Sequence, residues 1–239
     1  MNMVSKKKQN TPAKRKSSPK YNPIFERMSN EVGGVRCDLG CGFRKAAGFV
    51  GVDFRKGPGV DIVQDLSLFP WREIPDDVAS IVMTSHLNEH INPASSNPQL
   101  AALINLLKSK GVLTEKEVDS TVGEYNFLGG FIRFMDEVWR ITKVGGKFMM
   151  SHPYAGSPGY WQDPTHINPI NQATYAYFDP FAKEPVSGQF YGLYGIYRPK
   201  PWKLVSCSYT TYGNMEVLLE KRDIDPSYNV STDNGLTSK

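Results

Sequence analysis

Short apolar runs separated by glycine turns fill the first third of the chain. Val35 to Leu39 and Phe49 to Asp53 read as strands, and Asp61 to Gln64 as a third, shorter one. Val78-Ala79-Ser80-Ile81-Val82-Met83 is almost continuously apolar, as in a strand buried on both faces. The period then changes. Leu128, Phe131, Ile132, Met135, Val138 and Trp139 recur at helical spacing, with Lys143 supplying charge at the helix end and Gly145-Gly146 stopping it. Lys147 to Ser151 follows as a fifth strand. Trp202 to Thr210 and Met215 to Lys221 read as a closing antiparallel pair around Gly213-Asn214. Upstream, Asn22-Pro23 predicts the cap and first residue of a short helix reaching Asn30, ended by Gly33-Gly34.

Alternating strands and helices predict an α/β fold, a mostly parallel sheet with helices on both faces. Ligands in such sheets bind beyond the carboxyl ends of the strands, near the point where strand order reverses. Residues 93–125 break the alternation and read as an insertion, with Thr114-Glu115-Lys116-Glu117 as a capping box. Residues 152–201 follow the fifth strand and are rich in aromatics: Tyr160, Trp161, Tyr175, Tyr177, Phe178, Phe190, Tyr191 and Tyr194. They read as a substrate lid. One domain over 21–225 accommodates all of this, between a basic tail, 1–20, and a polar tail, 226–239.

Charge is distributed unevenly. Seven of the 28 Lys and Arg residues lie in 1–20, which holds no acid, so the remaining 21 face 24 acidic residues in a mildly acidic body. The tail has too few apolar residues to order itself and keeps nucleic acid open as a partner. No apolar run approaches a membrane span or a signal segment. Three cysteines, Cys37, Cys41 and Cys207, form no framework spacing, which predicts a reducing, cytoplasmic setting with no disulfide and no bound metal.

Candidate chemistry concentrates in Asp38-Leu39-Gly40-Cys41-Gly42, followed by Gly51-Val52-Asp53. A strand, a glycine bend and a second strand ending in a carboxylate suit an adenosine-bearing cofactor. A dinucleotide fingerprint fails here, because Lys45 stands at the third glycine position and Asp53 comes too early.

These residues resemble the class I S-adenosylmethionine-dependent methyltransferases, and a compact subgroup with a shortened first crossover. The likeness continues through Asp65-Leu66, Ser85-His86-Leu87-Asn88-Glu89-His90, Glu137-Val138-Trp139-Arg140, Lys143-Val144-Gly145-Gly146 and Asp163-Pro164-Thr165-His166. Asn88 and Val144 depart from the usual Leu and Pro. The resemblance implies a Rossmann-like, seven-stranded sheet whose last strand is antiparallel, S-adenosyl-L-methionine as cofactor, and methyl transfer to an oxygen or nitrogen nucleophile. It also implies cofactor contacts from Asp38, Leu39, Gly40, Cys41, Gly42, Asp53, Phe54, Asp65, Leu66 and Ser85. Asp38 would orient the loop, Asp53 take the ribose hydroxyls, and Asp65 with Leu66 face the adenine. Ser85 and His86 would flank the methyl-transfer channel.

Among residues suited to proton transfer, His166 with Asp163 is the first expectation for a base, and His86 the second. Two other functions compete. One is a non-catalytic nucleic-acid-binding protein on the same fold. The other is a zinc hydrolase, because His86-Leu87-Asn88-Glu89-His90 spells an inverted zinc-peptidase motif whose histidines share a face when helical.

Overall fold

The computed structural model describes residues 21–30, 33–91, 103, 106–114, 130–184, 186–189, 192–197 and 199–224. Both tails, most of the 93–125 insertion with Glu117 of its capping box, Leu128, Phe190 and Tyr191 lie outside the described residues.

Seven strands make one sheet: β1 (Val35–Leu39), β2 (Val50–Asp53), β3 (Ile62–Val63), β4 (Ala79–Ser85), β5 (Thr142–Pro153), β6 (Trp202–Tyr209) and β7 (Asn214–Lys221). Their order is β3-β2-β1-β4-β5-β7-β6. β1 to β5 run parallel, and β7 is antiparallel to both β5 and β6. The order reverses between β1 and β4, so a crevice opens beyond their carboxyl ends. This is a Rossmann-like, doubly wound α/β fold with an antiparallel strand near one edge.

Helix α1 (Ile24–Ser29) buries Phe25 and Met28. It is held at its start by Asn22, whose Oδ1 accepts from Ile24 N at 3.1 Å. Helix α2 (Gly130–Ile141) buries Phe131, Phe134, Met135, Val138 and Ile141. Its Phe134 ring lies 5.7 Å from Trp71 and 6.4 Å from Phe148, which in turn lies 5.9 Å from Trp202. Each such fully buried side chain contributes about 1.5–3 kcal/mol, so this aromatic row anchors the helix to β5.

The end of α2 differs from expectation. β5 begins at Thr142 with no intervening turn, so Lys143 and Gly145-Gly146 belong to the strand. Two contacts explain the abrupt change. Thr142 Oγ1 donates to the Val138 carbonyl at 2.6 Å, satisfying a helix-terminal acceptor. The glycines fall where the register between β4 and β5 shifts.

Glu137 and Arg140 explain their spacing structurally. Arg140 pairs with Glu137 and Asp76 and donates to the Trp71 and Ile74 carbonyls, while Glu137 accepts from Trp71 N. The pair fastens the loop before β4 to the helix. After β5 come α3 (Pro158–Trp161), α4 (Gln172–Ala176) and α5 (Tyr194–Tyr197). Among the described residues, no helix is long and apolar enough to cross a membrane.

Candidate cofactor and acceptor site

The bend after β1 is built by two glycines with left-handed backbone, Gly40 (φ +71°) and Gly42 (φ +56°). Gly40 N and Cys41 N both donate to the Val52 carbonyl, at 2.8 and 3.2 Å, which folds the bend back over β2. A Cβ added at Gly42 meets nothing within 4 Å, so open space faces this position. Close approach of a ligand to the backbone is what such a glycine permits.

Asp53 closes the other side. It is 6% exposed, and each carboxylate oxygen accepts one backbone N–H: Gly42 N to Oδ2 and Arg55 N to Oδ1, both at 3.0 Å. Each oxygen keeps a further lone pair for a ligand. Asp38, equally buried, accepts from Ala46 N at 2.8 Å and so pins the 43–48 link. Burial raises its pKa, and the Ala46 N–H opposes that shift.

A third acid, Asp61, stands near Cys41. Asp61 Oδ2 accepts from Gly51 N at 2.8 Å and pairs with Lys45 Nζ at 2.5 Å. Burial, with Asp38, Asp53 and Asp61 nearby, pushes the Cys41 thiol up to about 11. Lys45 pairs with the Asp61 charge, so Asp38 and Asp53 are the carboxylates left facing the bend.

The other expected contacts are distributed as follows. Phe54 is 61% exposed next to Asp53, with Arg55 over its ring at 4.7 Å. Leu39 and Leu66 are buried in the core cluster. Asp65 Oδ1 accepts from Ser67 N and Oγ in a local turn. Ser85 ends β4 exposed, and His86 follows at φ +53°, its N–H donating to the Ser151 carbonyl.

Four acid–base side chains converge beyond β4 and β5. His86, His90, Asp163 and His166 line a cavity of about 390 Å³ with Gln162, Tyr212 and Asn214. Glu89, fully buried in the 3₁₀ turn Asn88–His90, lies behind them, 3.4 Å from His86 Nδ1 and 3.9 Å from His166 Nε2. The Glu89 carboxylate holds the His86 imidazole above its ordinary pKa, against the opposing effect of burial. His166 is nearly enclosed, with Nδ1 2.8 Å from the Tyr160 carbonyl. Thr165 donates to Asp163 through its hydroxyl and its N–H, which lowers the Asp163 pKa. His152 stands apart in the core, bonded to the Tyr175 hydroxyl at 2.7 Å, and burial lowers its pKa.

The inverted zinc-peptidase reading fails on this geometry. His86 precedes the turn in a left-handed conformation, so His86 and His90 do not sit one helical turn apart. A helix of two or more turns is what that motif needs, and among the described residues of this segment only Asn88–His90 is helical.

No protein-family model and no curated protein matches the chain. Solved structures resemble it at low identity. YcgJ from Bacillus subtilis is 10% identical, with 84% of this chain and 97% of that one covered at a TM-score of 0.44. A 16S rRNA (adenine(1408)-N(1))-methyltransferase from Catenulisporales acidiphilia, solved with cosubstrate SAM, is 12% identical, covering 84% and 90% at 0.43. The antibiotic-resistance methyltransferase Kmr is 13% identical, covering 83% and 91% at 0.42.

Proposed function

We propose that the chain transfers a methyl group from S-adenosyl-L-methionine to an oxygen or nitrogen nucleophile. One observation carries the reading: an anchored carboxylate, Asp53, beside an open glycine bend at Gly42. The residues fit the cofactor. Asp53 has lone pairs for two ribose hydroxyls, Gly42 offers unobstructed backbone, and the Asp38 and Asp53 carboxylates suit a ligand bearing sulfonium and ammonium groups.

When bound, the cofactor supplies an already activated methyl group. The chain's task is then alignment and exclusion of water. Ser85 and His86, at the end of β4, border the acceptor side. His86 is the half-exposed histidine there, with its ring oriented between Glu89 and Asn214, at 3.4 and 3.2 Å. We therefore assign contact with the acceptor to His86. His166, the first expectation for the base, is almost enclosed and lines the same cavity beside the more exposed Asp163. A nucleic-acid acceptor remains consistent with the basic tail.

A thermal-shift comparison tests the reading. S-adenosylhomocysteine at 100 times its Kd adds about 2.7 kcal/mol, which raises Tm by roughly 5–10 °C for a chain of this size. NAD should give no shift. A shift with NAD and none with S-adenosylhomocysteine would overturn the proposal.

A further inference from the structure

Glu89 is an unusual residue in this fold. Its side chain is fully buried, and among the described residues neither carboxylate oxygen has a well-formed hydrogen bond, the nearest donor being His86 Nδ1 at 3.4 Å from Oε1. A buried carboxylate without donors is strongly disfavoured, and native proteins pair such groups with hydrogen bonds or cations. Imidazoles surround this one. The donor atoms of Glu89, His90 and His166 all lie within 4.8 Å of one another.

The hydrogen bonds behind the two histidines fix their protons. His166 Nδ1 faces the Tyr160 carbonyl at 2.8 Å, and a carbonyl only accepts, so Nδ1 carries the hydrogen and Nε2 the lone pair. His90 Nδ1 faces the Thr165 carbonyl at 3.2 Å and the Thr165 hydroxyl at 3.1 Å. That hydroxyl donates to Asp163 Oδ1 at 2.7 Å and therefore accepts from His90, which again leaves Nε2 with the lone pair. Backbone carbonyls holding the second ring nitrogen are the usual outer support of metal-binding histidines.

From this arrangement we propose that Glu89, His90 and His166 bind one divalent first-row transition-metal ion, with Asp163 beside it. His166 Nε2 is 3.9 Å from Glu89 Oε1 and 3.7 Å from Asp163 Oδ2. A tetrahedral ion about 2.0–2.2 Å from each donor separates donors by roughly 3.4 Å, so a contraction of a few tenths of an ångström brings the His166 pairs to that spacing, and the His90 ring, within 4.8 Å, turns in to complete it. Two imidazoles with one or two carboxylates suit zinc, manganese or iron(II) rather than calcium or magnesium. His86 is left outside the ligand set. With Asn214 Nδ2 donating to its Nε2 at 3.2 Å, its Nδ1–H points to Glu89 and steadies that carboxylate. The site joins the segment after β4 to the one after β5, 75 residues on in sequence. The site shares its cavity with His86, the residue assigned to the acceptor, but no ligand with the Asp53 bend, so zinc retention and cofactor binding are read out separately.

The test uses the full chain and zinc alone. After equilibration with ZnCl2 and dialysis, elemental analysis should find one zinc per chain, and cobalt substitution should give visible d–d absorption. His166→Ala and Glu89→Gln should each abolish stoichiometric retention. His90→Gln serves as a further variant should either fail to fold, and should do the same. Asp53→Ala should retain zinc in full. Wild-type chain without stoichiometric zinc, or folded variants that hold it as the wild type does, would overturn the assignment.

Discussion

The Gly42 backbone N–H donates to Asp53 Oδ2 across 3.0 Å, tying the bend after β1 to the end of β2. This bond orients the carboxylate toward the crevice before any ligand arrives. Preorganisation of that kind lowers the cost of ordering the site on binding.

Two glycine substitutions should separate binding from folding. At Gly42 (φ +56°) an added methyl group touches nothing, so Gly42→Ala should cost only the left-handed backbone strain, about 1–2 kcal/mol. It should weaken S-adenosylhomocysteine by at least roughly tenfold, since the methyl occupies the ligand's approach. At Gly51 a Cβ would lie 2.1 Å from the Gly59 carbonyl oxygen, so Gly51→Ala should lose several kcal/mol, on the order of core overpacking or more. Urea denaturation with parallel binding titrations checks both. Equal effects on stability at the two positions would contradict this reading of the bend.

Cys41 should be a sluggish thiol. Burial and the carboxylates of Asp38, Asp53 and Asp61 raise it from 9.0 to about 11. The thiolate fraction near neutral pH falls by about 100-fold, and alkylation should slow by a similar factor. Iodoacetamide labelling of the native chain, read by peptide mass spectrometry, measures this. Modification at the rate of a free cysteine would contradict the burial and carboxylate surroundings of Cys41.

Asp136 sets a pH dependence. Its Oδ1 accepts from Lys200 N at 2.7 Å, yet burial pushes its pKa from 3.8 to about 6. The folded state therefore holds the proton more tightly than the unfolded chain. Its contribution to stability is greatest below pH ~4 and is lost as pH rises through about 6. Asp136→Asn keeps an acceptor for Lys200 N and removes the charge. The variant should gain on the order of 1–2 kcal/mol at pH 7.5 relative to wild type, after allowance for partial exposure, and nothing at pH 4. Urea midpoints at the two values decide it; an unchanged difference across pH would refute the assignment.

Much of this architecture was legible in the chain. β1 matches its expected span, Val35–Leu39, because period and turn residues agree there. The β6–β7 pair was legible for the same reason, with Gly213 at φ +84° in the turn. Asp53 stood out because it ends a strand after a glycine bend. Asp61 did not, since its role depends on a hydrogen bond to Gly51 N across ten residues and leaves no periodic trace. The boundary between α2 and β5 was misread because two glycines usually stop a helix, whereas Thr142 capped it earlier. Glu89, His90 and His166 each had a visible motif, but only the folded chain brings residues so far apart in sequence into one cluster.

The most direct test of the cofactor claim is calorimetric titration of S-adenosylhomocysteine into the full chain and into Asp53→Ala. Two charge-assisted hydrogen bonds disappear in the variant, each contributing about 1.5–3 kcal/mol. One binding site per wild-type chain, weakened by roughly 100-fold or more in the variant, is the expected result. A folded wild-type chain that takes up no ligand, or a variant that binds as tightly as wild type, would contradict it.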